Sequence, residues 1–89
     1  MRAVVTVIGK DAVGILAKVS TKCAEHNANV IEVSQAVLQD VFAMTMLIDI
    51  TELSSDFASL ADSLTALGDE MGLKIHTMHE DIFKCMHEI

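Results

Sequence analysis

Two stretches, Ala3 to Ile8 and Val41 to Ile50, are apolar at nearly every position and rich in β-branched residues. Side chains alternate between the two faces of a strand, so a run that does not alternate must be covered on both sides. Each stretch therefore reads as a central strand of a sheet. A sheet with two such strands needs flanking strands at its edges and a second layer packed on it.

The segments between and around these runs supply both. Gly9-Lys10-Asp11-Ala12-Val13-Gly14 is a sharp connection, with Asp11 a good helix N-cap and helical residues expected from about Ala12. Ile15, Leu16, Val19, Cys23 and Ala24 then recur at helical spacing, with Lys18, Lys22 and Glu25 on the opposite side. His26-Asn27-Ala28-Asn29 closes that helix. Val30 to Leu38 alternates in part, as an edge strand with one wetter face does, and Gln39-Asp40 makes the tight turn to the second apolar run. Ser54-Ser55-Asp56 opens a second helix whose stripe is Phe57, Leu60, Ala61, Leu64, Leu67 and Met71, with Gly72 as its stop. Leu73 to His79 is a fourth strand. Glu80 to Ile89 reads as a short third helix with Ile82, Phe83, Met86 and Ile89 on one side.

The resulting order, strand-helix-strand-strand-helix-strand, is the split βαβ plan. The fold class is α+β: a ferredoxin-like βαββαβ sandwich, with a four-stranded antiparallel sheet, two helices on one face and the short C-terminal helix. Right-handed crossovers place strands 1 and 3 at the centre and 2 and 4 at the edges. The sheet face away from the two helices still carries apolar side chains, Val5/Val7 or Val4/Ile8 from strand 1. The C-terminal helix, a second copy of the chain, or both must cover it. No linker or low-complexity run interrupts the 89 residues, which read as a single domain.

Composition narrows the function. The chain carries 13 acidic and 6 basic residues, a formal charge of −7, the wrong sign for a phosphate backbone. It has no Trp or Tyr, and only Phe42, Phe57 and Phe83, so a base-stacking platform is lacking. An RNA-recognition module shares the strand order, but its aromatics on strands 1 and 3 are missing apart from Phe42. No nucleic acid partner is expected. The apolar run after Arg2 is seven residues, Ala3 to Gly9, too short for a signal peptide or a membrane span. Two distantly spaced thiols, Cys23 and Cys85, fit a reduced, cytoplasmic location. A content of 52 % hydrophobic residues is rich for so small a chain, and points to a self-association surface.

Catalytic chemistry finds little support. His76 and His79 point to opposite faces of their strand, so no metal site is expected. His26 and His87 stand at helix ends as solvated residues. Cys23 reads as a buried hydrophobe, Cys85 as an exposed thiol without a base partner. The carboxylates fall on polar faces or in turns, and the six methionines fill a core or an interface. An acylphosphatase-like hydrolase on this plan would need an arginine in the first strand-helix loop, and the sole arginine is Arg2. No enzyme activity and no cofactor are expected. The segment from Gly9 to Gly14 is the exception. A helix start presents free N–H groups and a positive dipole end, although Ile15-Leu16 stand where a phosphate loop needs Lys-Ser/Thr. Spacing alone favours a structural role, with Asp11 a cap and Gly14 permitting helix–sheet packing.

At Gly9-Lys10-Asp11-Ala12-Val13-Gly14-Ile15-Leu16, with Asn29-Val30-Ile31-Glu32-Val33-Ser34-Gln35 and Phe42-Ala43-Met44, the chain resembles the ACT domain family over nearly its whole length. It is most similar to small stand-alone ACT proteins that look like the ACT domains of the glycine-cleavage-system repressor. The resemblance implies a regulatory domain binding an amino acid or similar small metabolite across a homodimer. It marks Lys10, Asp11, Ala12, Val13, Gly14, Ile15 and Leu16 of the turn, with Asn29 and Val30 at the start of strand 2, as the ligand site. Val13 stands where many members have Pro, and Asp11 where serine-binding members have Asn. The other function open to such a chain is a ligand-independent interaction module that oligomerises and recruits an enzyme or regulator.

Overall fold

The computed structural model describes residues 1–10 and 14–87, with the backbone alone for Leu38, Met86 and His87. Its elements follow the expected order: β1 (Arg2–Gly9), α1 (Ile15–Glu25), β2 (Asn29–Leu38), β3 (Val41–Asp49), α2 (Phe57–Met71), β4 (Lys74–His79) and α3 (Glu80–His87). The four strands form one sheet in the order β2-β3-β1-β4. Every neighbouring pair is antiparallel. The two apolar runs are the central strands, as their lack of alternation requires.

Strand register divides the apolar residues into two sets. Ala3, Val5 and Val7 face the same side as their partners Ile48, Met46 and Met44, and together with Ile15, Val19, Cys23, Leu60, Leu64 and Leu67 they form the core beneath α1 and α2. The other face carries Val4, Thr6 and Ile8 beside Leu47, Thr45 and Ala43. It is therefore the Val4/Ile8 set that faces away from the helices, and the threonines at its middle make this face more polar than full apolar runs imply.

α3 covers part of that second face. It follows β4 without a linker and packs against β1 and β4. The Arg2 guanidinium donates to Glu80, Nε to Oε1 at 3.1 Å, and its second nitrogen lies 2.7 Å from Oε2. Val4 is only 4 % exposed although it lies outside the core under α1 and α2. Ile8, farther along the same strand, is 49 % exposed. Of the apolar stripe expected on α3, Phe83 is half-buried and Ile82 is exposed. The Met86 side chain and Ile89 lie outside the described residues.

Local sequence explains the helix ends. α2 starts at the Asp56 N-cap, whose Oδ1 accepts from the Ser59 amide at 2.8 Å, and ends at Gly72 in the left-handed region, φ 72°. α1 starts at Ile15, later than the start expected near Ala12, and its N-cap is Gly14 at φ 77° rather than an acidic residue. Leu16 and Ala24, expected on the buried stripe, are exposed. Helical spacing gives a wide stripe, but Ile15, Val19 and Cys23 alone fill the space over the sheet.

Two carboxylates give the fold a pH dependence. Hydrogen bonds from Thr51 hold Asp49 below its usual 3.8, and hydrogen bonds from Ser59 do the same for Asp56. In both, the folded state binds protons more weakly than the unfolded chain. Their stabilisation is thus present above the unfolded value and lost as pH falls through the folded one. The urea midpoint is expected to fall as pH drops below the usual aspartate range. The drop should be shallower in an Asp49→Asn/Asp56→Asn variant, and equal slopes in the two proteins would contradict these assignments.

One buried hydroxyl runs against the core's economy. Thr77 lies on the helix-facing side of β4, paired with Val5, and its Oγ1 has no hydrogen-bond partner among the described residues. Removing an unsatisfied buried polar atom while keeping the shape stabilises by about 1 kcal/mol. Thr77→Val is therefore expected to raise the melting temperature by about 4–8 °C, the shift that about 1 kcal/mol gives a domain of this size. A lower melting temperature would show that this hydroxyl is satisfied.

Candidate functional site

The turn between β1 and α1 sits at the end of the sheet where β1 finishes. Gly14 has φ 77°, a conformation that costs other residues about 1–2 kcal/mol. A Cβ built on it meets nothing within 4 Å among the described residues. The backbone angle, not helix–sheet packing, is what requires glycine here. The Gly14 carbonyl accepts the first helical bond from the Lys18 amide at 3.1 Å, and no side chain caps the helix start among the described residues. Among the described residues the first amides of α1 therefore have no side-chain cap, and the positive end of the helix dipole lies behind them.

Of the residues marked as a ligand site, Lys10 is exposed beside this turn and Leu16 is 40 % exposed on the first helical turn. Ile15 is 1 % exposed and belongs to the core. Asp11, Ala12 and Val13 lie outside the described residues. Asn29 and Val30 are elsewhere: Asn29 pairs with Asp49, and Asp49 with Arg2, so they stand at the opposite end of the sheet. The seven steps from Arg2 to Gly9 at about 3.3 Å each place the two groups about 23 Å apart. A single chain does not bring them together.

The Asn29 end is held by contacts that helical spacing did not reveal. Asn27 adopts φ 60° and its side-chain amide donates to the Glu52 carbonyl at 2.7 Å. The Ser54 amide donates to the His26 carbonyl at 2.9 Å. His26 itself is half-buried rather than solvated, with Nδ1 2.7 Å from Ser55 Oγ and Nε2 3.2 Å from Ser63 Oγ. Ser55 Oγ also donates to the Asp56 carbonyl at 3.2 Å. This network ties the α1–β2 connection to the start of α2, and so fixes the entry of Asn29 into β2. The sequence signal for it was Ser55 and Ser63, polar residues flanking an apolar stripe.

Other chemistry-bearing groups are dispersed. His76 faces outward on β4, while His79 faces the helices and stacks on Phe57, ring centroids 4.1 Å apart. Among the described residues no three His, Cys, Asp or Glu side chains are grouped to hold a metal. Burial pushes the Cys23 thiol up to about 11, which suppresses its thiolate; Cys85 is exposed. A groove of about 250 Å³ runs along α1 between Lys18, Lys22 and Leu67, and a cavity of about 180 Å³ lies among Met1, Arg2, His79 and Asp81. Neither is lined by a residue of the marked set. No helix among the described residues is long and apolar enough to cross a membrane.

Comparison with known proteins places these features. A family model of the ACT domain matches residues 2–78. A UPF0237 protein of Methanocaldococcus jannaschii is 48 % identical over 88 residues, spanning 99 % of this chain and 98 % of its own. Among solved structures, an ACT domain protein from Streptococcus pneumoniae superposes with a TM-score of 0.81 at 37 % identity, over 94 % of both chains. The regulatory subunit of aspartate kinase from Thermus flavus gives 0.63 at 25 % identity, over 88 % of this chain and 51 % of that one. A putative glycine cleavage system transcriptional repressor shares the fold, with 0.68 at 23 % identity over 85 % and 43 %.

Proposed function

The chain belongs to the ACT domain family, and on that premise we propose that it is a non-catalytic regulatory domain binding an amino acid or similar small metabolite between two copies of itself. The observation that carries this reading is the Gly14 turn: a left-handed glycine opening onto amides of α1 that no side chain among the described residues caps. A carboxylate is the group such a turn accommodates, through backbone N–H donors and the helix dipole. Lys10 stands beside it with a compensating charge.

Asn29 and Val30 enter the site from the partner. Within one chain they are a sheet's length from Gly14. A second copy running antiparallel along the exposed edge of β2 reverses the two ends, and sets one chain's Asn29 end toward the other's Gly14 end. Asp11 offers a carboxylate for the ligand's ammonium group. The resemblance to a regulatory subunit of a kinase fits a domain that signals occupancy to another protein.

Thermal-shift screening of the amino acids at millimolar concentration tests the proposal. At least one is expected to raise the melting temperature, since a ligand at about 100 times its Kd stabilises by about 2.7 kcal/mol. Gly14→Val should remove that rise. Silence across the whole set would sink the sensing part.

A second reading rests on the exposed apolar side chains at the β2–β3 hairpin, Val37 at 68 % and Val41 at 43 %. They fit a ligand-independent module that recruits an enzyme or regulator. Partner capture unaffected by Gly14→Val and by amino acids would favour that reading over the first.

A further inference from the structure

The two free edges of the sheet are built differently. β4 carries exposed Lys74 and His76 and runs directly into α3, and charge of this kind on an edge discourages pairing with another strand. β2 has no such guard. From Val33 to Leu38 it holds neither charge nor proline, and Ser34, Gln35, Ala36 and Val37 are all exposed. An edge of this kind is a template for one more strand.

Irregularities at both ends limit where that strand can pair. Ile31 is the extra residue of a β-bulge between Val30 and Glu32, and Gln39 turns the chain at φ 56°. A bulge interrupts the ladder, so the regular stretch is Glu32 to Leu38 and its middle residue is Gln35. A second copy related by a two-fold axis perpendicular to the sheet keeps every residue on its own face. Because successive side chains alternate in facing, the antiparallel registers that satisfy this are those in which one residue meets its own copy. Centred on Gln35, the whole regular stretch is paired. Centred on Ser34 or Ala36, two of its residues are left out.

The side chains agree with that centre. Val33, Gln35 and Val37 pair with Met46, Met44 and Phe42, and so share the helix-facing side. In this register Val37, 68 % exposed, meets the partner's Val33, and Val33, partly buried against the core, meets the partner's Val37. Between these two apolar pairs the Gln35 amides meet, each able to donate to the other's oxygen. On the opposite face Ser34 meets the partner's Ala36. Glu32, the one charge of the stretch, falls opposite Leu38 rather than opposite itself. Valines two residues to either side of a self-pairing amide fit a second copy of the same strand, whereas a foreign strand would not call for that symmetry.

We infer that β2 pairs with β2 of a second copy in this one register, with Gln35 on the two-fold axis. The inference rests on the reading of a site shared between two chains, and gives that site its geometry. Val37 is level with Phe42, and Phe42 with Gly9. The partner's Val33 stands at that level. The partner's Asn29 lies three ladder steps, about 10 Å, farther on, at the end of the sheet that carries the Gly14 turn.

Oxidative cross-linking of full-length cysteine variants tests it, in a Cys85→Ser background that leaves buried Cys23 as the only native thiol. Directly opposite residues hold Cβ atoms about 4.5–5.5 Å apart and diagonal ones about 7–8 Å, and a disulfide needs about 3.5–4.5 Å. Opposite pairs alternate between close and wide along an antiparallel ladder. Either the Gln35 pair or the adjoining Ser34–Ala36 pair is therefore a close one. The expected result is a disulfide-linked dimer from Gln35→Cys alone, or from Ser34→Cys mixed with Ala36→Cys. Ser34→Cys and Ala36→Cys should each stay unlinked on their own. Sedimentation velocity gives a second readout that needs no bond. Gln35→Glu and Gln35→Lys should each dissociate several-fold more readily than their equimolar mixture, since a residue facing its own copy sets like charge against like. Linkage of Ser34→Cys or Ala36→Cys by itself, or a mixture no tighter than either charged variant, would overturn this register and leave the two-chain site standing. No linkage in any variant together with no gain in the mixture would overturn the β2 contact. A parent chain that sediments as a single copy at every concentration would overturn the two-chain reading with it.

Discussion

Leu64→Ala is expected to lower the unfolding free energy by about 3–4 kcal/mol, the middle of the range for removing a fully enclosed leucine. Leu64 is 0 % exposed, sits mid-way along α2, and belongs to the same core cluster as Met46 and Val5 on the sheet. The loss combines the transfer term for the removed carbons with a cavity that the rigid sheet beneath it cannot collapse. A domain of this length has about 4–13 kcal/mol in all. The substitution therefore removes a large share of the total, and the melting temperature should fall by about 15–25 °C. Denaturant titration with an unchanged m-value checks it. A loss below about 1 kcal/mol would mean that α2 does not pack on the sheet as described.

Gly68→Val is expected to cost about 3 kcal/mol or more, from the opposite cause. Here the core is too close rather than too empty. A Cβ on Gly68 would meet the Leu73 carbonyl oxygen at 2.8 Å and Ile75 Cγ1 at 2.9 Å. The Leu73 amide also donates to the Gly68 carbonyl at 2.7 Å, so α2 and the start of β4 are bonded at this point. A backbone oxygen cannot swing aside as a side-chain tip can, so the helix must lift from β4. Gly68→Ala separates this account from simple helix propensity. Propensity alone favours alanine by about 1 kcal/mol in a helix interior, yet the close approach makes alanine destabilising too. A stabilised alanine variant, measured by the same titration, would contradict the contact.

These two residues also show what the sequence made legible. Leu64 belongs to a helical stripe and was expected in the core. Gly68 has no side chain to register in such a pattern, and its role appears only when α2 and β4 are placed together. The strand plan was readable for a physical reason: a strand apolar on both sides has no choice but the centre of the sheet, and β1 and β3 are there. The same logic overstated the second face, since Thr6 and Thr45 sit where full burial would need apolar residues. Leu16 misled because an α-helix presents more apolar positions than the sheet has room for. His26 was misread because a position at a helix end says nothing of the Ser55 and Ser63 hydroxyls brought to it from later in the chain.

The candidate site was legible in its parts but not in its arrangement. Gly14 stood out as a turn glycine, and its φ of 77° gives the reason. That Asn29 opens the second strand at the far end of the sheet follows from antiparallel pairing, which needs the full register of β1, β3 and β2. On the proposed reading, that separation means each site takes residues from two chains.

Mixing two defective variants measures that claim directly. Gly14→Val and Asn29→Ala should each abolish the thermal shift given by the amino acid that stabilises the parent chain. If each site takes Gly14 from one copy and Asn29 from the other, a mixed dimer carries both defects in one site and leaves the second site whole. Unfolding and refolding the two variants together at equal concentration is then expected to recover about a quarter of the parent's binding capacity, since half the dimers are mixed and each has one intact site of two. Calorimetric titration of the refolded mixture reads that capacity. A mixture that binds no more than the separate variants, although mixed dimers have formed, would contradict a site shared between chains.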